Sequence, residues 1–306
     1  MREIGRVLTQ QPRRYIGIEL SGAKSPRTAL AALEFYPRER KIFLLDIFDR
    51  ITASEDHTSD ESLLEVIEEM GVGAAGLGAN VPFQLPPCIE CTRKTCPLPE
   101  KCTVSAVKWM RETRKRALVR SAAGTESTRR QDGTLPSRAM RSRDFTPYTQ
   151  RPVELYIRHK VLDQLPVNAR FEIDETLGGS RAPLTARMHF LNRHMPSSIP
   201  RFEVWPKLTI AALAERLELS RRTLVAWRNI EDGAHARAEI LERISARLGV
   251  FIYDRDQRKL SQSLAAFDAF LSAYTAHLAD NGQCVRPPHG FPVDSGWVQF
   301  PSEGEA

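Results

Sequence analysis

Four of the five cysteines lie within fifteen positions, in CIECTRKTCPLPEKC (88–102). The spacing is C-x2-C-x4-C-x5-C, carried by Cys88, Cys91, Cys96 and Cys102. Thiolates bind soft or borderline cations, and a C-x2-C pair turns the backbone so that two sulfurs meet one ion. Prolines at 87, 97 and 99 stiffen the same loop. Zinc sites usually hold two pairs farther apart, whereas iron–sulfur proteins use short spacings and a Cys-Pro step like Cys96-Pro97. Zn²⁺ and an Fe–S cluster are both compatible with the pattern, beside unligated thiols. Either metal would be structural, because four protein ligands leave no open position. Cys284 stands alone and reads as an inert small residue.

A second set of residues carries oxygen chemistry. Glu19 ends the apolar strand YIGIEL (15–20), and Asn80 ends a strand within AAGLGANVPFQLP that the following prolines stop. Glu203 lies on the compact strand FEVWP (202–206), and Asp268 on the long helix LSQSLAAFDAFLSAYTAHLA (260–279). If the first and fourth strands are parallel neighbours, their ends converge on one edge, and a helix packed there presents its acid to the same point. Hard cations such as Mg²⁺ take oxygen ligands, and two-metal phosphodiester cleavage needs carboxylates around a closely spaced pair of ions.

The elements that must position these residues are legible in outline. TALAALEF (28–35) and KIFLLDIFDRI (41–51) follow the first strand through short connections, which predicts an antiparallel meander. SDESLLEVIEEMG (59–71) begins at a Ser/Asp cap and places Leu63, Leu64, Ile67 and Met70 on one face. This helical crossover predicts that the fourth strand returns parallel to the first. Small residues at Ala265, Ala266, Ala269, Ala273 and Ala276 fit the long helix for close packing on a sheet. GWVQFP (296–301) reads as an edge strand.

Between the cysteines and the second half of the chain, residues 111–143 hold ten Lys or Arg against three acidic residues. With little apolar periodicity, this reads as a mobile basic loop: either a solvated linker or a nucleic-acid contact through Arg114, Lys115, Arg116, Arg129 and Arg130. The segment 208–230 carries a helix-turn-helix pattern, with RRTLVAWR as the reading helix and Arg221, Arg222 and Arg228 facing the nucleic acid. Two amphipathic packing helices explain the same pattern, and Glu218 stands where the turn glycine is usual.

The totals constrain the class. At 306 residues with 42% hydrophobic and 27% charged residues, the chain can bury a sizeable core. A net charge of +6 biases it only mildly toward polyanions. The first twenty residues lack a continuous apolar stretch before a cleavage site, and no run is long enough to span a membrane. These features predict a cytoplasmic protein without a membrane partner, and leave the oligomeric state undefined. The G-x-G-x-x-G match at 71–76 follows a helix rather than opening one, so it is no dinucleotide fingerprint.

Five motifs, in order, resemble a family of uncharacterised proteins described as predicted nucleases with an RNase H-like fold. They are YIGIELSG, GANVPFQLP, FEVWP, FDAFLSAYTA and the closing GWVQFP. The resemblance implies a mixed α/β sheet flanked by helices, formed from 13–86 and 196–301. A long insertion, 87–195, would carry the cysteine loop and the basic segment. It implies catalytic positions at Glu19, Asn80, Glu203 and Asp268 holding Mg²⁺ or Mn²⁺, and a nucleic-acid partner. Two departures bear on that role: the first acid is Glu rather than Asp, and the second is replaced by the neutral Asn80. The expected function is therefore a divalent-metal-dependent nuclease, degenerate at one ligand. The alternatives are a helix-turn-helix DNA-binding protein and a catalytically inactive RNase H-like scaffold.

Overall fold

The computed structural model describes residues 11–22, 27–127, 145–165, 167–229 and 232–302. β1 (Arg13–Glu19), β2 (Ala29–Tyr36) and β3 (Lys41–Phe48) form the meander, each antiparallel to the next. α1 (Ser59–Gly71) then crosses over to β4 (Ala74–Ala79), which runs parallel to β1, as the connection lengths predict. The α1 cap is Thr58 rather than a Ser/Asp pair. Its backbone N–H donates to Glu61 Oε2 at 2.7 Å, and Glu61 N–H donates back to Thr58 Oγ1 at 3.3 Å. This reciprocal arrangement satisfies two donors at the helix start.

After the cysteine loop come α2 (Ser105–Ser127), α3 (Pro152–Tyr156) with a π turn at Ile157–Val161, and α4 (Arg181–Leu191). The first half of the basic segment is thus helical rather than a loop. Its Ala, Leu, Glu, Lys and Arg content favours a helix even where few apolar residues mark a face. Arg114, Lys115 and Arg116 lie on α2, and Arg114 pairs with Glu100. Arg129 and Arg130 lie outside the described residues.

β5 (Arg201–Val204) lies beside β4, and α5 (Pro206–Leu213), α6 (Arg221–Ala226) and α7 (Gly233–Leu248) follow. A short β6 (Val250–Phe251) adds to the β3 edge. The long helix expected over 260–279 is two helices, α8 (Asp254–Gln262) and α9 (Leu264–Asp280). Ser263 breaks the run and caps α9, its hydroxyl accepting from Ala266 N–H at 3.2 Å. β7 (Val298–Gln299) closes the other edge, parallel to β5. Among the described residues the sheet order is β6-β3-β2-β1-β4-β5-β7.

Helices cover both faces. Ile16 and Ile18 pack with Leu63 and Ile67 of α1 and Met188 and Leu191 of α4. Tyr15, on the opposite face, packs with Phe267, Phe270 and Ala273 of α9 and Ile240 of α7. Each fully buried Phe or Ile of these clusters contributes roughly 1.5–3 kcal/mol. No helix among the described residues is long and apolar enough to cross a membrane.

Candidate functional site

Two glycines determine how α9 meets the sheet. Gly17 of β1 and Gly78 of β4 are register partners. A β-carbon on Gly17 would lie 1.9 Å from the Ala269 carbonyl oxygen, and one on Gly78 would lie 2.2 Å from that of Ser272. The helix backbone therefore rests on a notch that no other residue type would leave. Side chains alternate along a strand, so Glu19 and Asn80, two positions beyond these glycines, point to the same face as the notch. Asp268 immediately precedes Ala269 on the helix in that notch. Glu19, Asn80 and Asp268 thus meet at the ends of β1 and β4.

Asn80 Nδ2 donates to Glu19 Oε2 at 2.8 Å. Asp268 is 1% exposed and takes both its hydrogen bonds from Arg228 Nη1, at 3.1 Å to Oδ1 and 2.9 Å to Oδ2. Arg228 in turn lies over the Trp227 ring, 4.8 Å from its centroid. Burial and then the Asp268 charge push the Glu19 carboxyl up to about 8, against the pull of Asn80, Arg228 and Arg181. Burial also raises Asp268, which Arg228 only partly offsets. Burial, more than charge, disfavours ionising both acids of the pair at once.

Glu203 lies in a different environment. Both its oxygens accept from the fully buried Arg151, Nη1 at 2.7 Å and Nη2 at 2.8 Å, and Trp205 Nε1 donates to Oε1 at 2.9 Å. Arg181 Nη2 lies 3.6 Å from the same oxygen. Burial works to raise the Glu203 pKa, but Arg151, Arg181 and Trp205 overcome it and hold the carboxyl below its ordinary range. Arg151 is fixed in turn, its Nε donating to Thr176 Oγ1 at 2.6 Å and to Glu154 Oε1 at 3.2 Å.

Between the two carboxylate environments opens a cavity of about 170 Å³, lined by Asn80, Asp174, Arg181, Trp205, Lys207 and Arg228 among others. Arg181 and Lys207 are both drawn below their usual pKa, chiefly by burial. The cavity is smaller than sites that engulf a drug-sized ligand, and three cations line it. Three cations against the two acids Glu172 and Asp174 leave it suited to a small anionic group rather than a whole large ligand.

Sequence reasoning missed Arg151, Arg181 and Lys207, and it considered Arg228 only in the alternative of a nucleic-acid-reading helix, with packing helices preferred for the same segment. α6 has six residues, and the residue two beyond its end, Arg228, turns inward to Asp268. Leu208, Thr223 and Trp227 of the helix-turn-helix segment are buried, while Arg221 and Arg222 are exposed. Glu218, at the expected turn, has φ of 50°, the left-handed conformation that a glycine adopts without strain. A better signal lay in the glycines: G-x-E at 17–19 and G-x-N at 78–80 mark where a helix can reach a strand-end polar group.

The four clustered cysteines lie along the loop beyond β4. Cys102 is buried and Cys88 partly buried in one apolar cluster with Val107, Met110, Phe145 and Leu155. Cys91 and Cys96 are exposed. Burial, followed by Cys102, Cys91 and Cys96, pushes the Cys88 thiol up. Among the described residues no three His, Cys, Asp or Glu side chains converge closely enough to hold a metal ion.

Residues 166–291 match a family described as "Protein of unknown function (DUF429)". The matched stretch contains Arg181, Glu203, Lys207, Arg228 and Asp268; Glu19 and Asn80 precede it. No curated protein and no solved structure matches the chain.

Proposed function

We propose that this chain is a divalent-metal-dependent phosphodiesterase acting on nucleic acid, with an RNase H-like core. The observation that carries the reading is the buried Glu19–Asp268 pair, whose hydrogen-bond partners Asn80 and Arg228 line a cavity together with Arg181 and Lys207. The central strand order β3-β2-β1-β4-β5, a meander followed by a parallel return, supports the fold assignment.

Glu19 and Asp268, with Asn80 as a neutral ligand, would hold one Mg²⁺ or Mn²⁺, because oxygen donors favour a hard cation. Such an ion supplies stabilisation of charge developing on a phosphoryl oxygen. The chain's own cations perform the remaining work. Arg181 and Lys207 would hold a substrate phosphate in the cavity, while Arg228 positions Asp268. Glu203 serves as a further ligand only if Arg151 releases it.

A second reading, nucleic-acid binding without turnover, is favoured by that capture of Glu203 together with the neutral Asn80. Cleavage of labelled single-stranded, double-stranded and RNA–DNA hybrid substrates with Mg²⁺ or Mn²⁺ separates the two. Divalent-dependent cutting that Asp268→Asn abolishes supports catalysis. Binding without cutting on every substrate supports the second reading and overturns the first.

A further inference from the structure

We propose that the cavity lined by Arg181 and Lys207 receives a phosphate monoester at the end of a nucleic-acid strand, so that the chain recognises a phosphorylated terminus. The inference deepens the function proposed above and rests on nucleic acid being the substrate.

Arg181 is the residue that points to a ligand. Among the described residues its Nε and Nη2 are buried and donate no hydrogen bond. Glu203 Oε1, 3.6 Å from Nη2, is close enough to attract the charge but too far to accept. The guanidinium instead lies over the Trp205 ring, 5.3 Å from its centroid, a contact that uses none of its donors. Buried donors left idle are costly, and an acceptor from outside the chain removes that cost.

Two further features of the same wall suit a phosphate. Lys207 adds a second cation, 5.7 Å from the centroid of the Phe171 ring. The helix α4 begins at the cavity: Ser180, Arg181 and Leu184 all line it, and the Ser180 side chain makes no capping bond to the helix. The first turn of this eleven-residue helix therefore brings its positive end to the same space.

The position of the cavity decides which phosphate it takes. Glu19 and Asp268 are not among the residues lining it, whereas their hydrogen-bond partners Asn80 and Arg228 are. A phosphate on Arg181 and Lys207 is thus a neighbour of the one that would react at the two acids. A volume of about 170 Å³ holds one phosphate group and part of a sugar, not a continuing strand. The acids that line the cavity, Glu172 and Asp174, are exposed and so face its solvent side. A strand leaving past them would set its own charges against two carboxylates. The opposite side offers the Asn80 amide and the Arg228 guanidinium, so the strand enters there and ends in the cavity. A terminal monoester also carries nearly twice the charge of an internal diester, which two cations and a helix N-terminus match better.

Binding of short single-stranded DNA and RNA to the full chain, in a chelator so that nothing is cut, tests this. One sequence is compared in 5′-phosphorylated, 3′-phosphorylated and unphosphorylated form. One phosphorylated form should bind at least about tenfold tighter than the unphosphorylated strand, the worth of a charge-assisted hydrogen bond. Inorganic phosphate should compete that excess away. Arg181→Gln and Lys207→Met should each remove most of the preference while circular dichroism stays native, and Lys207→Arg should keep it. If Arg181→Gln does not fold, Lys207→Met, at a partly exposed position, decides. Equal binding of the forms by the native chain, binding of none, or a preference that survives in the folded variants overturns the proposal. Equal binding together with divalent-dependent cutting would overturn it while the catalytic reading stands. A preference for a phosphorylated end without cutting in Mg²⁺ or Mn²⁺ would uphold it while that reading falls.

Discussion

Gly17 of β1 and Gly78 of β4 stand side by side, and the backbone of the helix carrying Asp268 rests on both. This relationship aligns the candidate site: it fixes the height of α9 above the sheet, and with it the approach of Asp268 to Glu19. A β-carbon at Gly17 would meet backbone atoms Ala269 O at 1.9 Å and Ala273 N at 2.3 Å, which no rotamer change relieves. Gly17→Ala should cost about 3 kcal/mol by overpacking. Urea denaturation followed by circular dichroism measures the loss; a cost below about 0.5 kcal/mol would mean that α9 lifts freely.

Arg228 is the partner that makes a buried Asp268 tolerable. Arg228→Met leaves that carboxylate without its two hydrogen bonds and should destabilise by about 1–3 kcal/mol, discounted because Arg228 itself is partly exposed. Adding Asp268→Asn should recover part of the loss, because the neutral amide costs less to bury. A double-mutant cycle by denaturation checks the coupling, and strict additivity would contradict it.

The strands were legible because alternation, turn residues and prolines are local signals. Glu19 and Asn80 could be placed at strand ends for the same reason, and Asp268 by the small residues around it. Their partners could not. Arg228 reaches Asp268 across 40 positions and Arg151 reaches Glu203 across 52, and nothing local distinguishes either among 44 Lys and Arg. The basic segment misled because few apolar residues follow Met110, so residues 111–127 of α2 read as a loop. The break at Ser263 was hidden because capping serines are common within helix-forming sequence.

Metal-free protein should lose stability as pH rises. Glu19 has a folded pKa near 8 against an ordinary value of 4.5, so the folded state holds a proton that the unfolded chain has already released. The associated stabilisation is complete below about pH 4.5 and is lost as pH climbs through about 8. Asp268, also raised, acts in the same direction. Urea midpoints between pH 5 and 8.5 in a chelator should therefore fall, and Glu19→Gln should flatten the slope. Mg²⁺ or Mn²⁺ should restore stability most at the alkaline end. A midpoint that rises across this range would refute a raised Glu19 carboxyl.

Arg151 and Glu203 form a fully buried ion pair, with Arg151 also held by Glu154 and Thr176. Removing one partner leaves a charge with no water to replace it, so Arg151→Met should cost about 3–5 kcal/mol. Replacing both partners with apolar residues of similar size removes the stranded charge. Arg151→Met with Glu203→Leu should thus be more stable than Arg151→Met alone, although Trp205 Nε1 then loses its acceptor. Glu203→Gln separates structure from catalysis. It keeps the shape and weakens the pair, so it should lower stability. If Glu203 serves the reaction only after leaving Arg151, divalent-dependent cleavage should fall further than the folded fraction does. Equal falls in cleavage and folded fraction would confine Glu203 to a structural role beside the cavity.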